Sequence, residues 1–458
     1  MYISGYVKIP ANVRKLNYKK NNNSASDPTP LTGKIIKLSI EESAVGLPAP
    51  DQENCPHRHL ALKMSEVLSA LVHASEKSAN IARACKQEEA LFQLLVQEKK
   101  GSEKNKKFVS DFKTLADVLV QEAIKHDMGK KFPGLEDHIF GEESNEFTNS
   151  LGEKIKVGVC ATEEDTAELL SKVLNGNITA AELLASIIHH DVSIEDPALE
   201  KLAAEIPQDT MALWVDPIDS TFQYIKGYAD EKSKDGIYSK GLQCVTILIG
   251  VYNRSSGLPI MGVINQPFVT RDPDSLRWSG QYFWGLSYQG INICSLQIGA
   301  NTASQPGDDQ GEVPRQKEKM PDRDNDLSAV MSTSESESIK SALSKLRLYY
   351  AAGAGYKSLC AVQGFVSVYL LSEDTTFKWD CCAPHAILKS LGGGMVDFRE
   401  YLKRRKDGNL DELPELVYNM PVDGVTGSDR WANKGGLVAY RCRKHLDTIM
   451  NIISSVDP

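Results

Sequence analysis

Apolar side chains recur at helical spacing along the first strongly patterned part of the chain. From Met64, the stretch 65-SEVLSALVHASEKSANIARACKQEEALFQLL-95 predicts an amphipathic helix with Ser65 as its N-cap. Residues 111–128 show the same spacing, and residues 163–190 contain two further helical runs. We therefore expect helices in these three ranges.

From residue 212 to residue 290 the pattern changes to short runs of β-branched, aromatic and aliphatic residues. Glycine, proline and polar residues separate the runs, which is typical of strands joined by turns. The runs are 212-ALWV-215, 242-LQCVTILIGVY-252, 259-PIMGVINQP-267 and 281-QYFWGLSYQG-290. They predict a meander of largely antiparallel strands.

After residue 326, strand-like and helical patterns alternate, which favours an α/β arrangement. The strand patterns at 328–333 and 365–371 alternate with helical patterns at 335–346 and 381–394. The segments 1–63 and 300–326 are rich in polar residues and proline and contain few apolar runs. The predicted organisation is a disordered extension (1–63), an α+β lobe (64–299), a flexible insertion (300–326) and an α/β lobe (327–458).

The composition is that of an ordinary globular protein, with 41% hydrophobic residues, 25% charged residues and a net charge of −9. A negative chain lacks the basic surface expected for binding to a nucleic-acid backbone. The apolar runs are shorter than the roughly 20 residues of a membrane span, and no apolar signal segment begins the chain. The nine scattered cysteines favour reduced thiols. We expect a cytoplasmic protein without nucleic-acid or membrane partners.

Six acidic residues stand out because apolar or aromatic residues and small turn residues flank them. They are Asp117, Glu142, Glu143, Asp216 and Asp219 in 216-DPID-219, and Asp380 in 377-FKWDCC-382. Each has an ordinary alternative. A lone Asp-x-x-Asp is more often a turn, a Glu-Glu pair more often lies on a solvated face, and Asp380 is placed to cap a following helix. Asp117 taken alone is also explained as a buried acid whose carboxylate is satisfied by backbone donors.

Converging carboxylates would repel one another unless a cation neutralised them. A ligand set of oxygen atoms, without histidine or cysteine, selects a hard cation, Mg²⁺ ahead of Zn²⁺. A proline-containing turn at 216–219 can serve two ions, with one aspartate as a bridge, the other on one ion and the Ile218 carbonyl facing the first ion. Two-metal sites with ions roughly 3.5–4 Å apart catalyse in-line phosphoryl displacement.

The ordered set Asp, Glu-Glu, Asp-Pro-Ile-Asp-Ser-Thr and Trp-Asp resembles the signature of the Mg²⁺-dependent, lithium-sensitive phosphomonoesterases. This superfamily includes inositol monophosphatase, bisphosphate nucleotidase and fructose bisphosphatase. The similarity extends from Met64 to the C-terminus, apart from the insertion 300–326, and its blocks include 141-GEESNEFTN-149, 214-WVDPIDSTFQYIKG-227, 352-AGAGYKSLC-360, 373-EDTTFKWD-380 and 430-RWANKGGLVAYR-441. The resemblance implies a layered α/β/α/β/α sandwich of the inositol monophosphatase and fructose bisphosphatase type. Its active site would lie between a metal-binding first lobe and a substrate-binding second lobe.

The resemblance also implies roles for individual residues. In the family, one metal is held at the positions of Glu142, Asp216 and the Ile218 carbonyl, and a second at those of Asp216, Asp219 and Asp380. Glu143 would act through a metal-bound water. Asp117 and Thr221 match the pair that orients and deprotonates the nucleophilic water. The implied cofactor is Mg²⁺, with two or three ions per site.

The family implies substrate contacts around the same site. The glycine-rich 352-AGAGYKS-358 is not a Walker loop, and taken alone it reads equally well as a tight entry into a helix. By resemblance, the substrate-binding positions are Ser220, Thr221, Ser332, Thr333, Gly353, Ala354, Lys357 and Thr375.

The implied reaction is hydrolysis of the 1-phosphate of inositol 1,4-bisphosphate and inositol 1,3,4-trisphosphate by a lithium-inhibited, monomeric enzyme of inositol phosphate signalling. The alternatives left open are a 3′(2′),5′-bisphosphate nucleotidase with the same metal core and a scaffold that only binds inositol phosphates.

Overall fold

The computed structural model of the protein describes residues 61–87, 96–101, 103–104, 111–149, 151–200, 202–230, 232–297 and 327–455. The predictions of disorder for residues 1–60 and of a flexible insertion at 300–326 lie outside these residues. Residues 61–63, within the predicted extension, form a strand.

The strands of the described residues are β1 (Ala61–Lys63), β2 (Val96–Glu98), β3 (Phe112–Thr114), β4 (Ile139–Gly141), β5 (Glu146–Thr148), β6 (Lys154–Lys156), β7 (Glu205–Pro207), β8 (Met211–Asp219), β9 (Thr246–Asn253), β10 (Pro259–Arg271), β11 (Trp278–Tyr288), β12 (Ile291–Cys294), β13 (Ser328–Met331), β14 (Arg347–Tyr350), β15 (Val368–Leu371), β16 (Gly394–Asp397) and β17 (Leu437–Tyr440).

The helices are α1 (Met64–Gln87), α2 (Leu115–Lys131), α3 (Glu163–Val173), α4 (Ile178–His189), α5 (Pro197–Glu200), α6 (Thr221–Lys226), α7 (Glu337–Ala342), α8 (Ala354–Gln363), α9 (Lys378–Ser390), α10 (Phe398–Lys406) and α11 (Arg443–Ser454). None of these helices is both long enough and apolar enough to cross a membrane.

Two larger sheets form the framework. The first has the order β12-β11-β10-β9-β8-β4, in which β8 to β12 form an antiparallel meander and β4 lies parallel to β8. The predicted meander is therefore confirmed. The second sheet has the order β14-β13-β15-β17-β16, with β13, β14 and β15 parallel and β17 antiparallel to both of its neighbours.

Alternating side chains of each strand divide the core into layers, because successive residues of a strand point to opposite faces. In β8, Leu213 and Val215 pack in one cluster with α1 and α2, whereas Trp214 packs in another with α8 and α9. In β15, Tyr369 faces that same middle layer, and Leu370 faces α11. The layers are helix, sheet, helix, sheet, helix, which confirms the predicted α/β/α/β/α sandwich.

Glycines on neighbouring strands let α9 lie close to the first sheet. Gly250 and Gly262 are paired in register on β9 and β10. A Cβ on Gly262 would come within 2.1 Å of the Ala383 carbonyl oxygen, and one on Gly250 within 2.5 Å of the Ala383 nitrogen. Only glycine permits this approach, which positions the first turn of α9 and Asp380 within it.

Several predicted helix starts differ from the observed ones, including those at 335 and 381, where the helices begin at Glu337 and Lys378. Ser65 lies inside α1 rather than capping it, and the helix expected from residue 111 begins at Leu115. Residues 112–114 instead pair with β2, and Thr114 caps α2 by accepting the Asp117 N–H at 3.3 Å. The capping bond determines this boundary because it satisfies a backbone donor that the helix leaves free.

Candidate metal centre

Two parallel strands bring Glu142, which directly follows β4, next to Asp216, which lies within β8. Gly141 of β4 pairs with Val215 of β8, and the Glu142 N–H donates to the Val215 carbonyl at 3.2 Å. The residue that follows each of this pair is an acid, and the charge of Glu142 acts on Asp216.

The stretch 216-DPID-219 is a bulged part of β8 and not the predicted turn. Asp216 pairs with Leu248 and Asp219 pairs with Thr246, so β8 carries one residue more than β9 across this interval. Pro217 cannot donate to the ladder, which favours a bulge here. Residues three apart in a regular strand point to opposite faces, and the extra residue returns Asp219 to the side of Asp216.

Asp216, Asp219 and Asp380 form a tight cluster, with one carboxylate oxygen from each lying within 4.8 Å of the others. Asp380 comes from the first turn of α9 and accepts the Phe377 N–H at 2.6 Å. We call the carboxylates of Glu142, Glu143, Asp216, Asp219 and Asp380 the acidic site.

Asp219 accepts three hydrogen bonds, from donors in β9 and at the start of α8. Its Oδ2 accepts the Thr246 hydroxyl at 3.1 Å and the Gly355 N–H at 2.9 Å, and its Oδ1 accepts the Ala354 N–H at 3.2 Å. Gly353 has a φ of +76°, and a Cβ there would lie 2.8 Å from Asp219 Oδ2. The glycine-rich stretch therefore forms a tight helix entry that orients a carboxylate.

The side chains of Asp117 and Thr221 lie in hydrogen-bond contact. The Thr221 hydroxyl lies 3.3 Å from Asp117 Oδ1 and 3.1 Å from the Ile218 carbonyl oxygen. Asp117 Oδ2 accepts the Thr114 N–H at 2.7 Å, which leaves Oδ1 facing Thr221. Burial raises the pKa of Asp117 to about 6, against the lowering effect of Thr114 and of the Lys99 charge.

Lys99 contacts both adjacent glutamates. Its Nζ lies 2.5 Å from Glu142 Oε1 and 2.5 Å from Glu143 Oε1. The buried Gln121 side chain accepts the Glu143 N–H at 3.0 Å and donates to the Glu143 carbonyl at 2.5 Å. Burial raises the pKa of Glu143 to about 8, although Lys99 counteracts this effect.

Burial and mutual repulsion both disfavour the charged form of the aspartate cluster. The pKa of Asp216 is raised well above its ordinary value by burial and then by the charges of Glu142, Asp219 and Asp380. The pKa of Asp380 is raised by burial and then by Asp219 and Glu142. Such a cluster needs either protons or a cation.

The residues fit a hard divalent cation. Asp216 Oδ1 is buried and has no hydrogen-bond partner within the described part of the chain, although polar atoms in such positions are normally paired. The neighbouring acids offer only oxygen atoms, the ligand type that Mg²⁺ prefers. A cation at Asp216 would satisfy the oxygen and neutralise the cluster.

The predicted substrate positions of the second sheet follow the carboxyl ends of its parallel strands. Ser332 and Thr333 follow β13, Gly353 and Ala354 follow β14, and Thr375 follows β15. Ser332 contacts Ser334 at 2.9 Å, and the Thr333 carbonyl accepts from Lys340, so these bonds do not tie them to the acidic site.

Ser220 and Lys357 lie close to the acidic site. Ser220 connects β8 to α6 with a φ of +74°. Lys357 is buried, and its ammonium donates to the Gly353 carbonyl at 2.7 Å and the Ala351 carbonyl at 3.3 Å. Burial lowers the pKa of Lys357, against the charges of Asp219 and Asp380.

Sequence reasoning missed four supporting residues: Lys99, Thr114, Gln121 and Thr246. Thr114-x-x-Asp117 is a recognisable capping pattern and was available in the sequence. The other three carry no local signal, because their partners are distant in the chain.

The layered fold and the carboxylates gathered at β8 and at the start of α9 are features that can be compared with known protein families. The model of the inositol monophosphatase family matches residues 139–446, more than half of the chain. The chain belongs to the inositol monophosphatase family.

Individual proteins show to which members of this family the chain is similar. Human inositol polyphosphate 1-phosphatase is 60% identical over 85% of this chain and 97% of its own length. Human 3′(2′),5′-bisphosphate nucleotidase 1 is 27% identical over 70% of this chain and 80% of its own. Inositol monophosphatase from Anabaena aligns at a TM-score of 0.43 and 13% identity, over 86% of this chain and 98% of that one. The identity to human inositol polyphosphate 1-phosphatase shows that the chain is a phosphatase.

Proposed function

We propose that the protein is a Mg²⁺-dependent phosphomonoesterase that removes the 1-phosphate from inositol 1,4-bisphosphate and inositol 1,3,4-trisphosphate. The observation that carries the proposal is the cluster of Asp216, Asp219 and Asp380 beside the Asp117–Thr221 pair. The choice of substrate rests on the high identity to human inositol polyphosphate 1-phosphatase.

The acidic site would hold the metal ions. Glu142, Asp216 and the Ile218 carbonyl would hold one ion, and Asp216, Asp219 and Asp380 would hold another. Glu143 would act through a water. When bound, the ions supply Lewis-acid activation of water and neutralise charge on the leaving oxygen.

Asp117 and Thr221 would act on the nucleophilic water. Thr221 can accept a hydrogen bond from the water while it donates its own proton to Asp117 Oδ1, which lies 3.3 Å away. With a pKa of about 6, Asp117 is ionised at neutral pH and can take up the proton. Its other oxygen is occupied by Thr114, so Oδ1 is the basic atom.

The start of α8 would recognise the substrate. Its N-terminal N–H groups and the buried Lys357 charge place positive potential beside the acidic site, which suits a second phosphate. Gly353, Ala354 and Lys357 would face the inositol ring and this phosphate. Ser220 and Thr221 would contact the 1-phosphate. Ser332, Thr333 and Thr375 would line the rest of the substrate-binding site.

The direct test is phosphate release from inositol 1,4-bisphosphate with Mg²⁺, without Mg²⁺, and with Mg²⁺ plus lithium. We expect release only with Mg²⁺ and inhibition by lithium, which would occupy one metal position. Metal-independent release would reject the two-metal proposal.

A bisphosphate nucleotidase remains the second candidate, because a human member is 27% identical to the chain. A panel that contains adenosine 3′,5′-bisphosphate and inositol 1,4-bisphosphate separates the two. A higher kcat/KM for the nucleotide would replace the proposed substrate.

We also propose a cytoplasmic, monomeric enzyme. The cysteines within the described residues are all free thiols, which suits a reducing compartment. Fractionation and light scattering would test the two parts of this proposal.

A further inference from the structure

Lys99 is a buried cation placed directly against the acidic site. It follows β2, and its N–H donates to the Asp111 carbonyl at 2.7 Å, which anchors the backbone. Its side chain is 2% exposed. The ammonium reaches Glu142 Oε1 and Glu143 Oε1 at 2.5 Å each, and Asp111 Oδ1 at 4.0 Å.

The surroundings keep this ammonium charged. Carboxylates of Glu142, Glu143 and Asp111 surround the ammonium, and a lysine is buried in this way when it is paired. Lys99 therefore supplies a full positive charge where carboxylates would otherwise repel one another.

The position of Lys99 conflicts with a divalent ion on Glu142. The Glu142 side chain is 22% exposed, so a metal can approach it, but the ammonium already occupies Oε1. An added divalent ion would also be repelled by the charge of Lys99 across a short, poorly screened distance. Both effects weaken metal binding.

We propose that Lys99 is a resident counter-cation of the acidic site: it holds Glu142 and Glu143 together in the metal-free protein and competes with the divalent ion for Glu142. Its charge sets the metal affinity below the value that the carboxylates alone would give. This inference rests on the metal-binding part of the proposed function.

Calorimetric titration of the full chain with Mg²⁺ tests the inference in wild type, Lys99→Met and Lys77→Met. Lys77 is the matched control, because it is also buried and pairs with Asp127 at 2.7 Å, away from the acidic site. We expect Lys99→Met to bind Mg²⁺ about tenfold tighter or more, since a nearby like charge is removed. Lys77→Met should keep the wild-type affinity.

Thermal unfolding gives an independent readout. Both variants should unfold at a lower temperature than wild type without metal, because each leaves a carboxylate unpaired. Mg²⁺ should raise the unfolding temperature of Lys99→Met more than that of wild type, and that of Lys77→Met by the wild-type amount.

Equal or weaker Mg²⁺ binding by Lys99→Met would overturn the competition. No Mg²⁺ binding by wild type would instead reject the metal-binding part of the proposed function. If Lys99→Met does not fold, wild-type crystal structures with and without Mg²⁺ decide the question. We expect Lys99 Nζ to leave hydrogen-bond range of Glu142 Oε1 when Mg²⁺ is bound there, and retention of that contact would overturn the proposal.

Discussion

The acids of the metal centre differ in how many hydrogen bonds their carboxylates accept. Asp219 accepts three hydrogen bonds and Asp117 Oδ2 is held by Thr114, whereas Asp216 Oδ1 has no partner within the described residues. The held carboxylates are oriented before any ligand arrives, which lowers the cost of assembling the site. The oxygen without a partner is the one that a cation would satisfy.

Asp117→Asn should separate binding from turnover. The amide can still accept from Thr114, so the local structure should persist, but it cannot take a proton from water. We expect kcat to fall about 100-fold or more, with the Mg²⁺ and substrate affinities little changed. Turnover close to the wild-type rate would reject Asp117 as the base.

Lys357→Ala should distinguish two roles for the buried ammonium. If Lys357 recognises a second phosphate, kcat/KM should fall about tenfold or more for inositol 1,4-bisphosphate and much less for inositol 1-phosphate. Equal losses for both substrates would mean that Lys357 acts structurally, by donating to the carbonyl groups of Ala351 and Gly353 and so holding the turn before α8.

Helix α9 connects the two sheets and carries Asp380 in its first turn. Its close approach to β9 and β10 depends on glycines that leave room for the helix backbone at Ala383. A shift of α9 would move Asp380 relative to Asp216 and Asp219, since those residues belong to β8. The packing of this helix therefore controls the geometry of the metal centre.

Gly262→Ala should force α9 away from the sheet. The new Cβ would meet the Ala383 carbonyl oxygen at 2.1 Å, a backbone atom that cannot rotate aside. We expect a loss of about 2–3 kcal/mol in the free energy of unfolding, measured by urea denaturation, together with weaker Mg²⁺ binding. Gly158→Ala is the control, because its Cβ would meet nothing within 4 Å, and an equal loss there would contradict the packing argument.

Charge repulsion is concentrated where the layers of the protein meet. Acids from α9 and from the edge of the first sheet gather there, and burial raises the pKa values of Asp216, Asp219 and Asp380. The metal-free fold therefore carries an electrostatic cost that depends on pH.

Metal-free protein should lose thermal stability as the pH rises. The pKa of Asp117 rises from 3.8 to about 6 on folding, and that of Glu143 from 4.5 to about 8. Between these values the folded chain binds more protons than the unfolded chain, so the free energy of unfolding falls with increasing pH. Calorimetric scans from about pH 5 to about pH 8 should show a falling unfolding temperature that Mg²⁺ restores. A rise over this interval without metal would contradict the pKa assignment.

The helices and strands were predictable because their patterns are local, whereas the layered sandwich was implied by the family resemblance. The apolar runs at 242–252 and 259–267 predicted β9 and β10, and the periodicity after Met64 predicted α1. The acids were recognisable through their order along the chain. Ser65 was misjudged as a cap and 216-DPID-219 as a turn, because residues distant in sequence decide how these backbone groups pair.

The sequence by itself indicated the helices and strands, since these depend on neighbours within a few positions, and the order of its motifs indicated the family, the layers and the acids. Only the tertiary structure decided three other features. They are the bulge that turns Asp219 toward Asp216, the hydrogen bonds that Thr246 and Gly355 donate to Asp219, and the contact of the Lys99 ammonium with the acidic site. Each joins segments far apart in sequence, and their contacts arise from strand register and helix packing, which no local pattern encodes.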